Sequence, residues 1–118
     1  MDPIDLRERT MCFALRVVEV VDALPKTIRG RNAADQLCRS GTSVAANYRA
    51  AKRAKSTADF INKMGTVEEE ADEVLFWLEL IVRSEMLPAG RLQPLMDEAD
   101  QIFSIIVSSI NTAKRNRK

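Results

Sequence analysis

Apolar residues recur along this chain with a helical period, and no run alternates with period two long enough to suggest a strand. Between Met64 and Val82 they fall at Met64, Val67, Ala71, Val74, Leu75, Leu78, Ile81 and Val82. Between Ala34 and Ala51 they fall at Ala34, Leu37, Gly41, Val44, Tyr48 and Ala51. Steps of three and four residues put each set on one side of an α-helix. Breakers divide the chain, with Pro25 and Gly30 between the first two helical segments and Pro88 and Gly90 between the last two. Start signals fit these divisions: Asp2 before Pro3 with Asp5 beyond, Asn32 with Asp35, and Ser56 with Asp59. The spacing predicts helices over about 3–24, 32–54, 57–86 and 91–114, with Pro94 in the first turn of the fourth, where its missing N–H costs little. Short connections make neighbours antiparallel. The expected fold is all-α: one domain over residues 1–118, an antiparallel up-down-up-down four-helix bundle with a basic tail at 114–118.

Two of these helices carry more apolar surface than one bundle needs. Projected at ~100° per residue, Leu92, Leu95, Met96, Ala99, Ile102, Phe103, Ile105, Ile106, Val107 and Ile110 spread over about 200° of helix 4. An ordinary amphipathic helix needs little more than ~100°. On helix 1, Leu6, Phe13, Val17, Val20 and Leu24 extend a stripe made by Ile4, Met11, Leu15, Val18 and Val21. Helix 3 adds the i,i+4 pair Phe76 and Leu80 on the side away from its core stripe. Apolar surface left on a lone bundle marks an interface. A ring-like homo-oligomer is therefore expected, with Val20, Leu24, Phe76, Leu80, Phe103 and Val107 as interface candidates. Cover by loops or tilted helices of the same chain is the alternative.

Charge changes the picture more than composition does. The formal net charge over 118 residues is only +1. Yet residues 26–63 hold nine basic and two acidic groups, residues 64–113 hold two basic and ten acidic, and the tail adds Lys114, Arg115, Arg117 and Lys118. Such a polarised molecule can pair internally, pair with copies of itself, or present a positive field to a polyanion. There is no histidine, which removes the commonest general base and metal ligand. Carboxylate-rich bundles that bind two metals use inward-pointing Glu-x-x-His pairs. Here Glu69 and Glu73 are expected to face outward, so no metal, cofactor or catalytic residue is assigned. No phosphate-cradling glycine loop or nucleophile motif is present. Cys12 and Cys38 read as reduced thiols of a cytoplasmic protein. The first residues lack the charged segment and apolar run of a signal peptide, and no stretch approaches the ~18 apolar residues of a membrane span.

The candidate site is the outer face of helix 2. Taking Val44 as the centre of its core side, Arg49, Arg53 and Arg39 project at about 140°, 180° and 220°. Arg39 and Arg53 lie roughly 21 Å apart along the axis, a span suited to several phosphates of one nucleic-acid backbone. Arginine holds phosphate oxygens in bidentate fashion, and Lys52, Lys55, Lys63 and the tail extend the track. The segment Lys26-Thr27-Ile28-Arg29-Gly30-Arg31 is a further basic element. The competing reading is a solvated face, or one paired with Glu68, Glu69, Glu70, Asp72 and Glu73 of a neighbouring chain. Ser40, Ser43 and Asn47 flank the same helix, either as a polar contact surface or, more simply, in interhelical hydrogen bonds. Gly41, on the core side, costs ~1 kcal/mol against alanine in a helix; a close helix crossing would justify it.

Three segments carry a resemblance: Arg39-Ser40-Gly41-Thr42-Ser43-Val44-Ala45-Ala46-Asn47-Tyr48-Arg49, Ser56-Thr57-Ala58-Asp59-Phe60-Ile61-Asn62-Lys63, and Glu69-Glu70-Ala71-Asp72-Glu73 followed by Phe76-Trp77-Leu78-Glu79. In these, and over about residues 8–112 as a whole, the chain resembles the bacterial four-helix bundle proteins of the 23S rRNA intervening-sequence family. Ala50 stands where many of those relatives carry glutamate. The resemblance implies an antiparallel bundle assembling as a ring-like homopentamer. It also implies partners: the best understood relatives are accessory proteins of diversity-generating retroelements, which bind nucleic acid and a reverse transcriptase through basic surfaces. The basic positions inside the matching motif are Arg39 and Arg49; Lys52, Arg53 and Lys55 come from the helical projection. Two functions are expected from these readings. The first is a non-enzymatic oligomeric module that binds RNA or DNA backbone, with a reverse transcriptase or other protein as a further partner and no membrane. The alternative is a protein–protein adaptor whose basic face meets acidic helix 3 across subunits.

Overall fold

The structure, a computed structural model, describes residues 5–117. It contains four helices: α1 Leu6–Ala23, α2 Ile28–Ala51, α3 Thr57–Arg83 and α4 Ala89–Asn116, with no strand among the described residues. The connections, residues 24–27, 52–56 and 84–88, are long enough only to reverse direction. Each helix packs on its neighbours in sequence, and a thinner α1–α4 seam closes the set of four. The bundle is elongated, 50 × 29 × 20 Å.

Side chains cap the starts of α1, α2 and α3, and the starts of α1, α2 and α4 differ from those expected. Ser56 caps α3 as its spacing predicts, accepting from the Asp59 amide at 3.0 Å. The start expected at Asp2-Pro3 lies outside the described residues; Asp5 accepts from the Glu8 amide at 3.2 Å and caps α1. α2 begins at Ile28 rather than after Asn32, because Thr27 accepts from the Gly30 amide at 3.1 Å. Gly30 is thus a packing residue inside the first turn and not a breaker. A Cβ there would sit 2.0 Å from the Pro25 carbonyl oxygen, so glycine lets the connection fold tightly over the helix start. α2 ends at Ala51, three residues before the expected limit at 54. α4 starts at Ala89, which makes Pro94 its sixth residue. Pro94 therefore lies beyond the first turn and costs α4 one i→i−4 hydrogen bond, to Gly90. α3 closes with the Met86 amide donating to Ile81 and the Glu85 amide to Val82, both at 3.0 Å, and Glu85 adopts φ 61°.

The core uses the stripes expected of α2 and α3: Leu37, Val44, Met64, Val67, Val74, Leu78 and Ile81 are fully buried. α4 contributes Leu92, Ile102 and Ile106. Leu95 and Ile110 are buried as well, and Met96, Phe103, Ile105 and Val107 are half-buried. The apolar excess expected on α4 is therefore largely covered by its own chain.

On α1 the expectation is reversed. Phe13, Val17, Val20 and Leu24 form the core face, while Met11, Leu15 and Val18 are exposed at 45%, 57% and 37%. The two sets lie on nearly opposite sides of the helix at ~100° per residue. The bulkier set, which includes the one aromatic of α1, takes the interior. Val20 and Leu24 accordingly leave the set of interface candidates, since each is buried within the bundle.

Two polar side chains, Thr10 and Ser40, are fully buried. Both hydroxyls donate to carbonyls of their own helix, Thr10 to Leu6 at 2.7 Å and Ser40 to Gln36 at 2.9 Å. Asn47 likewise donates to the Ser43 carbonyl and hydroxyl, at 3.0 and 2.6 Å. The hydrogen bonds expected between helices at Ser40, Ser43 and Asn47 are thus bonds within α2.

Candidate nucleic-acid interface

The basic positions of α2 divide into two groups. Arg39 turns toward α3, where its guanidinium meets Glu70 at 3.0 Å and also bonds Glu73. Glu73 further accepts from the Trp77 indole at 3.4 Å. The Arg39 hydrogen bond holds the Glu73 carboxyl below the usual carboxylate range, against the opposing effect of burial. For Arg39, the pairing that the competing reading placed between chains is made within one chain. Glu70 and Glu73, at i,i+3 on α3, share the face that meets antiparallel α2. Phe76 stacks edge-on against Trp77 with centroids 5.1 Å apart and remains 56% exposed.

Arg49, near the C-terminal end of α2, and Lys52, Arg53 and Lys55, in the connection that follows, are all exposed. None makes an ion pair among the described residues. Antiparallel packing brings the α3 start and the α4 end to this same pole. A groove there is lined by Lys52, Lys55 and Ser56 from the α2–α3 connection, by Thr57 and Phe60 from the start of α3, and by Ala113 and Asn116 from α4. Exposed Lys114 and Arg117 adjoin these α4 residues in sequence, while Arg115 lines a recess on another face of α4. Arg49 borders a neighbouring recess with Asp5, Arg7 and Glu8 of α1.

Apart from Asp5 and Glu8 of the α1 start, which share the recess of Arg49, carboxylates are scarce at this pole for a reason visible in the sequence. No Asp or Glu occurs between Asp35 and Asp59, and none follows Asp100. Asp59 itself is occupied: it accepts from the Lys63 ammonium at 2.7 Å and from the Lys55 amide at 3.1 Å. The Lys63 bond chiefly, and the Lys55 amide after it, depress its carboxyl. Lys52 and Lys55 line the groove, Arg49 sits on the α1 side beside Asp5 and Glu8, and Arg115 turns toward the Phe103–Val107 recess; with Arg53, Lys114 and Arg117 they make seven exposed cations around one pole that form no ion pair among the described residues. Both basic segments are plain in the sequence, but their juxtaposition depends on the topology.

Among the interface candidates that remain exposed or half-buried, Phe76 and Leu80 flank a surface recess with Arg83 and Ser84. Phe103 and Val107 flank another with Ser104, Ser108 and Asn111. A third groove goes beyond the sequence expectation. It runs between α1 and α2, is lined by Met11, Leu15, Val18, Ala45 and Ala46, and has Thr42 and Arg49 at its edge. Cys12 and Cys38 are both free thiols, Cys12 exposed. Among the described residues, no cluster of three or more Cys, Asp or Glu is placed to hold a metal ion, and no helix is long and apolar enough to cross a membrane.

Across the α1–α4 seam, Arg9 forms a bidentate pair with Glu98, Nε to Oε2 and Nη2 to Oε1 both at 2.7 Å, and reaches Gln101 at 2.8 Å. The Arg9 hydrogen bond, opposed by burial, lowers the Glu98 carboxyl. A carboxyl depressed in the folded state adds stability above its unfolded pKa of about 4.3 and loses it as pH falls through the folded value. Glu98→Gln should therefore cost about 1–2 kcal/mol at neutral pH. That difference should shrink as pH falls through the depressed folded value. Urea unfolding of the two proteins across this range checks it; a difference that ignores pH would assign the loss to packing.

No curated protein matches the chain. Among solved structures it is similar to a protein of unknown function from the S23 ribosomal protein family of Bacteroides thetaiotaomicron VPI-5482. The identity is 34% and the TM-score 0.83, with 88% of this chain and 96% of that one covered. Residues 3–108, which take in all of the bundle short of the last turns of α4, match the sequence pattern of one family, and the chain belongs to it: the 23S rRNA-intervening sequence protein family.

Proposed function

We propose that this protein is a non-enzymatic, cytoplasmic helical-bundle subunit that binds the backbone of RNA or DNA through the pole where α2 ends and the basic tail emerges. The observation that carries this reading is the meeting at one pole of two carboxylate-free basic segments, 49–55 and 114–117, whose seven exposed cations make no ion pair among the described residues. Lysine and arginine held this way release condensed counterions when they meet phosphates, which gives affinity without base readout. The family's description names 23S rRNA, and a polyanion of that kind suits the pole. Assembly into a ring-like homo-oligomer, a homopentamer by family resemblance, would multiply such poles. Phe76, Leu80, Phe103, Val107 and the α1–α2 groove are the surfaces available for contacts between copies. A reverse transcriptase or another protein is a further partner by the same resemblance.

Filter binding of mixed-sequence RNA and DNA over a salt series tests the proposal. With six or seven phosphates neutralised, log K falls with log salt at a slope of about −5 to −6. Arg49→Ala with Arg53→Ala should weaken binding to all sequences alike and reduce the slope by about 2. Absence of binding at low salt would favour the adaptor reading, which the exposed Met11, Leu15 and Val18 support. The double substitution should then leave nucleic acid irrelevant and disturb assembly instead.

A further inference from the structure

The basic pole differs from single-strand binding surfaces in one respect: it offers no free aromatic face. Proteins that hold single strands combine a cationic groove with side chains on which bases stack, at about 1–3 kcal/mol per base. Tyr48, the aromatic nearest the end of α2, is buried in the core with 8% exposure. Phe60 borders the groove but is half-buried and packs against the hydrophobic cluster. Phe76 and Trp77 stand about 28 Å along α3 from its start, at ~1.5 Å per residue. The remaining groups around the groove are Lys52, Lys55, the Ser56 and Thr57 hydroxyls and the Asn116 amide. All of these are donors suited to phosphate and sugar oxygens and carry no base preference.

We infer that the pole recognises double-stranded nucleic acid in preference to a single strand. This deepens the backbone-binding reading above and rests on it. A duplex carries one phosphate charge per ~1.7 Å of axis, twice the density of either strand. It crosses the broader side of the bundle, 29 Å wide, with about 17 phosphates. Cations from two separate chain segments, spread around the pole, can meet both backbones of a duplex at once. It has no stacking contacts with which to hold the bases of a flexible strand. Duplex RNA and duplex DNA present the same backbone charge, and the two are separated by experiment.

Fluorescence anisotropy with the full chain tests the inference. The probes are labelled duplexes of about 20 base pairs, RNA and DNA, and each of their component strands in unstructured sequence. At low salt the duplex should bind at least tenfold more tightly than either strand, with a salt slope near 0.9 per neutralised phosphate against 0.7 for single strands. Lys52→Ala with Lys55→Ala should weaken duplex binding, and Phe60→Leu, with helicity checked by circular dichroism, should leave it unchanged. Equal or tighter binding of single strands, or loss of affinity in Phe60→Leu, would overturn the duplex preference while leaving backbone binding intact. Failure of every probe to bind would overturn the backbone reading itself. A preference shared by RNA and DNA duplexes would assign recognition to the phosphates, and a preference for one of them to its groove shape or 2′-hydroxyls.

Discussion

Phe13→Ala is expected to lower the unfolding free energy by about 3–5 kcal/mol, whereas Leu15→Ala, two residues away, should cost under about 1 kcal/mol. Phe13 has no exposed surface and sits in the core with Val17 and Leu37, while Leu15 is 57% exposed. Removing the ring leaves a cavity that the packed helices cannot fill, and the cost is the lost burial plus the cavity left behind. Leu15 touches the α1–α2 groove and loses little in an isolated chain. Chemical denaturation at low protein concentration measures both effects. The same pair also examines assembly. If the groove is where copies meet, Leu15→Lys should shift sedimentation toward smaller species without lowering monomer stability, while Phe13→Ala should lower both together. A large loss of monomer stability from Leu15→Ala would mean that α1 is turned the other way.

Gly41→Ala is the second large effect, a loss of about 1–3 kcal/mol despite the better helix propensity of alanine. A Cβ at Gly41 would lie 2.6 and 2.8 Å from the two methyl carbons of Val17 and 2.9 Å from its Cβ. A rotamer change moves the methyls but not the Val17 Cβ, so α1 and α2 must separate. The close crossing is therefore the reason for a glycine in the middle of α2. Gly65 provides the contrast. It lies inside α3, and a Cβ added there would meet nothing within 4 Å, so Gly65→Ala should stabilise by about 0.5–1 kcal/mol. A double-mutant cycle makes the point specific: Val17→Ala removes the two nearest methyls and leaves only the Cβ contact, so its combination with Gly41→Ala should cost less than the sum of the single changes. Strict additivity would remove the crossing as the cause.

Much of the bundle is legible because it depends on local rules. The three- and four-residue spacing of Leu37, Val44, Met64, Val67, Val74 and Leu78 names the buried face of α2 and α3 whatever they pack against. Ser56 with Asp59 marks a helix start, because the cap bond spans three residues. Thr27 is obscured as a cap because Gly30 resembles a breaker in isolation. The value of Gly30 lies in space: only the position of the Pro25 carbonyl shows why a side chain is excluded there.

The candidate site is half legible. The charges of α2 and of the tail are plain in the sequence, as is the absence of carboxylates between Asp35 and Asp59 and after Asp100. Which cations are free depends on neighbours from other helices. Arg39 looks equivalent to Arg49 in a helical projection, yet α3 supplies Glu70 and Glu73 to one and nothing comparable to the other. The Arg9–Glu98 pair joins residues 89 positions apart and has no local signal.

By itself the sequence determined that this chain forms four amphipathic helices with segregated charge, because helical period, capping and breakers act over a few residues. Only the tertiary structure decided which of two apolar faces of α1 is interior, which arginine is neutralised, and that residues 49–55 and 114–117 share one pole. Those outcomes follow from the side-by-side packing of antiparallel helices, a relation between distant segments that no local pattern encodes.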